Sequence, residues 1–129
     1  MRTHTISKKI ALLVALIAVF TCGLPAIASA LPPTINLTVH YQRPGGDYQG
    51  WNLWIWKNLT SGADVDVDSN GVTFTADDYF GKIAKVRIDG MEKFENLGII
   101  VRKGAWDSKD IGDDRFISNI PDNGNVEIW

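Results

Sequence analysis

Between Thr34 and Tyr41 the chain alternates without a break, with Ile35, Leu37, Val39 and Tyr41 set against Asn36, Thr38 and His40. A period of two places the apolar set on one face and the polar set on the other, which describes a half-buried strand and excludes a helix. Similar segments recur. Trp51 to Trp56 is aromatic and branched, Val72 to Thr75 is short, and Lys82 to Ile88 alternates again. Leu97 to Arg102 is a continuous apolar run ending in charge, and Arg115 to Ile120 and Asn125 to Trp129 complete the set. Turn chemistry separates them at Arg43-Pro44-Gly45-Gly46-Asp47, Ser69-Asn70-Gly71 and Pro121-Asp122-Asn123-Gly124. Asp64 to Asn70, Asp77 to Gly81 and Lys103 to Asp114 read as polar turns or loops. Short strands divided by turns predict an all-β domain, a small antiparallel β-sandwich.

The N-terminus follows other rules. Arg2, Lys8 and Lys9 precede an uncharged apolar run from Ile10 to Phe20, and Ala26-Ile27-Ala28-Ser29-Ala30 supplies small residues. This is the pattern of a helical signal peptide over residues 1–30, cut after Ala30. The run is too short to cross a membrane comfortably, which takes roughly twenty residues. A lipoprotein reading would acylate Cys22, but bulky Phe20 makes a poor lipobox. Residues 31–129 are then one secreted domain, with no stable membrane insertion once the signal is removed. The chain stops on Trp129 inside a strand pattern, so a longer protein truncated at this domain's C-terminus is expected.

The leader takes three of the thirteen Lys and Arg residues and none of the fifteen Asp and Glu, leaving a net charge near −5. That balance disfavours nucleic acid, whose phosphates call for a basic groove. Cys22, the one cysteine, leaves with the leader, so packing must hold the domain without a disulfide. All five tryptophans remain.

Three of those tryptophans lie in Trp51-Asn52-Leu53-Trp54-Ile55-Trp56. Leu53 and Ile55 are natural core residues. Trp54 and Trp56 then share the opposite face with Asn52, their indoles roughly 7 Å apart along the strand. Two neighbouring indoles on a solvent face suit the C–H face of a pyranose. The same pair could equally pack beneath the loop 57–71 as a second small core. Trp106 reads as either a third wall of such a site or, slightly better, a core residue.

The run His40-Tyr41-Gln42-Arg43, followed by Gly46-Asp47-Tyr48-Gln49-Gly50 and Trp51 to Trp56, resembles the family 41 carbohydrate-binding modules. These are pullulanase-associated domains found at the N-termini of bacterial pullulanases. The likeness continues at Phe80-Gly81-Lys82, Leu97 to Arg102, Trp106, Lys109-Asp110 and Asp114-Arg115-Phe116, and so covers residues 34 to 129. It implies a non-catalytic, monomeric α-glucan-binding module that tethers an amylolytic enzyme such as a pullulanase acting on α-1,6 links, exported by a bacterium. Its ligands would be pullulan, starch, glycogen or maltooligosaccharides. The family's two platform indoles match Trp54 and Trp56, and its sugar-binding lysine and aspartate match Lys109 and Asp114.

Other chemistries are less well served. Asp66, Asp68, Asn70 and Asp77 mimic a calcium loop, but their flanks read as strands and the last ligand is not Glu. No metal or other cofactor is expected. A glycoside hydrolase fragment would need two carboxylates across a cleft, and Asp110, Asp113 and Asp114 are merely loop neighbours. An extracellular interaction domain without glucan binding is the remaining alternative. His40, the one histidine after the leader, reads as a structural hydrogen-bonding residue.

Overall fold

The strand Thr34–Tyr41 (β1) buries Ile35, Leu37, Val39 and Tyr41, the set its alternation assigns inward. In the computed structural model, which describes residues 30–129, nine further strands follow: Trp51–Asn58 (β2), Val65–Asp66 (β3), Val72–Thr73 (β4), Ala76–Asp77 (β5), Lys82–Asp89 (β6), Asn96–Lys103 (β7), Ser108–Lys109 (β8), Arg115–Ile117 (β9) and Asn125–Ile128 (β10). Residues 1–29, on which the signal-peptide reading rests, lie outside the described part. Among the described residues there is no helix, hence none long and apolar enough to cross a membrane.

The strands form two sheets. One has the order β10-β1-β6-β5. The other runs β3-β2-β7-β8, with β4 also pairing β2 and β9 also pairing β7. Their inner faces meet in one core containing Ile35, Leu37, Leu53, Ile55, Ala84 and Leu97, each at most 1 % exposed. At about 25 cal/mol per Å² of apolar surface, such side chains supply most of the folding drive.

The fold is the expected all-β sandwich. It departs from pure antiparallel pairing at one place, where β10 runs parallel to β1 from Asn36↔Asn125 to Val39↔Ile128. β10 arrives from β9 in the other sheet. A crossover, unlike a hairpin, allows a parallel partner. The short strands β3, β5 and β8 sit where the sequence reads as polar turn or loop. Two-residue strands are too short to show a period, and pairing with a long neighbour defines them.

Candidate functional site

The outer face of the β2–β7 sheet is built in cross-strand rows. Residues directly opposite in an antiparallel pair share a face. One row runs Asp66, Trp56, Gly98, Phe116 across β3, β2, β7 and β9. The next pairs Trp54 with Ile100. A third runs Thr73, Asn52, Arg102, Lys109 across β4, β2, β7 and β8. Trp54, Trp56 and Lys109 from these rows, with Asp114 from the loop before β9, surround one open depression of about 290 Å³, which Asp64, Asp66, Ile100 and Trp106 also line.

The two indoles of β2 differ in exposure. Trp54 is half-buried, and Trp106 stands against it with ring centroids 5.3 Å apart and planes inclined by 60°. Trp106 is 45 % exposed, so it is a wall of the depression and not the core residue favoured from sequence. Trp56 is only 7 % exposed, which corrects the expectation of two open indoles. Its ring lies over Gly98, where an added Cβ would overlap the indole. Phe116, itself half exposed, meets it edge-on at 5.8 Å and 81°. Trp56 thus forms the floor of the site, while Trp54 and Trp106 offer the more open aromatic surface.

The polar half comes from β8, which carries Lys109, and from the loop between β8 and β9, which carries Asp114. Lys109 Nζ stands 3.5 Å from Asp114 Oδ1, and the two side chains are 38 % and 51 % exposed. Lys109 Nζ also lies 5.8 Å from the Trp106 ring centroid. Both groups are free to exchange this loose contact for hydroxyl groups, donating from the ammonium and accepting at the carboxylate.

Trp106 is the one non-glycine residue of positive φ among the described residues, at 81°. An L-residue held in the left-handed region costs on the order of 1–3 kcal/mol and persists only where its surroundings fix it. Here Trp54 and Arg102 do so, the guanidinium carbon lying 4.6 Å from the Trp106 centroid.

The remaining sequence candidates fall elsewhere. Trp51 faces inward and is capped by Arg43, whose guanidinium carbon lies 3.9 Å from its ring. Trp129 stacks on His40 over the other sheet, centroids 3.6 Å apart. The calcium-loop residues are dispersed. Asp66 faces the depression, Asp68 accepts from the Asn70 N–H at 2.8 Å, and Asp77 pairs with Lys82. Among the described residues no cluster of three or more His, Cys, Asp or Glu could hold a metal. A second, smaller cavity of about 100 Å³ lies between the sheets, with Val39, Ile99, Val101 and Ile128 in its wall beside His40, Asp110, Arg115 and Trp129. Its wall mixes apolar with charged residues, and it holds none of the candidate sugar-binding side chains.

Sequence reading missed Asp64, Asp66, Arg102 and Phe116. Phe116 carried a usable signal. Its neighbour Ile117 is apolar enough to face the core, which turns Phe116 outward. The others depend on register.

Among solved structures, one of alpha-glucan recognition by family 41 carbohydrate-binding modules from streptococcal virulence factors is similar at 19 % identity and a TM-score of 0.46. The match covers 74 % of this chain and 43 % of that one, so this chain spans less than half of its length. Residues 36–129 match the model of a family described as "Bacterial pullanase-associated domain". That match takes in every strand from β2 to β10, most of β1 and the whole outer-face depression, and the chain belongs to this family of bacterial pullulanase-associated domains.

Proposed function

We propose that the domain is a non-catalytic carbohydrate-binding module for α-glucans, and that it holds an amylolytic enzyme such as a pullulanase on its polysaccharide outside a bacterial cell. One observation carries this reading: the open indoles of Trp54 and Trp106 stand beside the exposed Lys109–Asp114 pair in one shallow depression. Indole faces match pyranose C–H faces, and a few polar groups then fix orientation. Trp56 supports the depression from below and offers its rim. The proposed ligand residues are Trp54, Trp56, Lys109 and Asp114, with Trp106 added by the geometry.

The other function classes fit less well. Asp64, Asp66 and Asp114 also line the depression, but all three are exposed. A glycosidase general acid works from a buried, apolar seat. A single-stranded nucleic acid would find carboxylates where its phosphates need cations. The module would act as a monomer and raise the local substrate concentration of its enzyme by linkage.

Calorimetric titration of residues 31–129 with maltoheptaose tests this directly. Binding in the micromolar range or weaker is expected, as suits a shallow site with few anchors. It should be abolished by Trp54→Ala. Equal binding of wild type and Trp54→Ala, or release of reducing sugar from pullulan, would overturn the reading.

A further inference from the structure

Arg102 faces outward on β7, yet only 2 % of it is exposed. Its guanidinium carbon lies 4.2 Å from the Trp54 ring centroid and 4.6 Å from that of Trp106. Its Nε donates to Asn52 Oδ1 at 3.0 Å, and Asn52 Nδ2 donates in turn to the Gly104 carbonyl at 3.0 Å. Among the described residues it forms no ion pair with a carboxylate. A buried cation without a counter-ion is costly. The two indole faces supply what a carboxylate does not, since each aromatic face attracts a desolvated cation.

Lys109 sits directly opposite Arg102 on β8. Like charges directly opposite across a strand pair repel. Trp106 stands close to both, 4.6 Å from the guanidinium carbon and 5.8 Å from Lys109 Nζ, while Lys109 extends towards Asp114.

We propose that Arg102 is the positioning residue of this site: its guanidinium is the common seat of Trp54 and Trp106, sets the angle between them, and directs Lys109 outward to Asp114 and the ligand. This rests on the carbohydrate-binding reading of the depression. At 2 % exposure Arg102 itself touches no sugar, and it acts through the rings it carries. The planar fork is essential. It can lie against two rings while donating edge-on to Asn52, whereas a lysine ammonium is a point charge that serves one ring at a time. Asn52 is the anchor of the seat, tying the guanidinium to the backbone of the turn that presents Trp106.

The test combines a ligand-free readout with a binding one. Two indoles 5.3 Å apart at 60° give an exciton couplet in far-ultraviolet circular dichroism, assigned here by its loss in Trp54→Phe. Arg102→Lys and Arg102→Met should both lose that couplet without ligand, and maltoheptaose affinity should fall about tenfold, or 1.4 kcal/mol. Asn52→Ala retains the Arg102 side chain but unties its guanidinium, and should show the same changes more weakly, so the idea stays testable if an Arg102 variant fails to fold. An unchanged couplet and affinity in Arg102→Lys would overturn the proposal. So would lost affinity with an intact couplet, since Arg102 would then act on the sugar itself. A wild type that shows the couplet but binds no maltoheptaose would sink the carbohydrate reading, while couplet loss in Arg102→Lys would still support the seat.

Discussion

Trp56 lies directly opposite Gly98 across the β2–β7 pair, and its indole fills the space that a side chain at Gly98 would need. A glycine inside a strand weakens it unless something packs on the bare backbone. Here that something is an indole, capped edge-on by Phe116 from the next strand. Gly98→Ala should therefore lift Trp56 and tilt Phe116, at an overpacking cost of about 1–3 kcal/mol. Urea unfolding measures this, and maltoheptaose titration should show weakened binding alongside. An unchanged midpoint would mean that the indole gives way freely.

Trp106 offers an inverted ranking of small residues. Alanine usually outperforms glycine because it loses less backbone entropy on folding. At φ 81° the order should reverse, since the left-handed region costs an L-residue roughly 1–2 kcal/mol that glycine avoids. Both Trp106→Ala and Trp106→Gly lose the contact with Trp54, so both should bind glucan at least tenfold more weakly, about 1.4 kcal/mol. Thermal unfolding should nevertheless find Trp106→Gly at least as stable as Trp106→Ala. An alanine variant clearly more stable than the glycine one would show that the turn relaxes out of this conformation.

The long strands were legible because their periods repeat. β1 alone shows four inward apolar residues in strict alternation, and Leu53 and Ile55 declare the inner face of β2. That fixes Trp54 and Trp56 on the outer face, where the structure has them. The exposure of each was hidden, because it depends on what lies across the pair: Gly98 lets Trp56 sink, while Ile100 leaves Trp54 higher. Trp106 was ambiguous for the same reason, its place being set by a positive φ and a guanidinium from another strand. The parallel seat of β10 depends on a crossover that local pattern does not encode. Lys109 and Asp114 look like ordinary surface charges in sequence, and family resemblance singled them out.

The Lys109–Asp114 pair should separate binding from stability. Both residues are well exposed and their contact is long at 3.5 Å, so its loss should cost well under about 1 kcal/mol of folding free energy. Lys109→Ala and Asp114→Ala should therefore melt close to wild type. Each removes a proposed hydrogen-bonding partner of the sugar and should weaken maltoheptaose binding by about 1–2 kcal/mol. A large drop in melting temperature with unaltered affinity would assign the pair to the fold.

His40 gives the domain a pH-dependent clasp. Its Nδ1 lies 2.6 Å from Asp78 Oδ2, its Nε2 2.7 Å from Glu127 Oε1, and Trp129 stacks on the ring. Burial pulls the imidazole pKa down, but hydrogen bonds and charge from Glu127 and Asp78 outweigh it, so the net shift is upward from 6.5. The Asp78 carboxyl is held below 3.8, chiefly by the Gly81 N–H; burial opposes this as the next largest effect, and His40 and the Phe80 N–H tip the balance downward. A raised histidine contributes stability that is complete below pH 6.5 and is lost as pH rises through its folded value. A lowered aspartate contributes stability that is complete above pH 3.8 and is lost as pH falls through its folded value. The clasp is therefore strongest between those limits, and it joins β1 to the loop after β5 and to β10. Melting temperature should fall for the wild type as pH is raised from 6 to 9, and should change much less in His40→Gln, which keeps hydrogen-bonding atoms without a titrating charge. Parallel curves for the two proteins would show that His40 is neutral in the fold, and the clasp would then be no stronger than its uncharged hydrogen bonds.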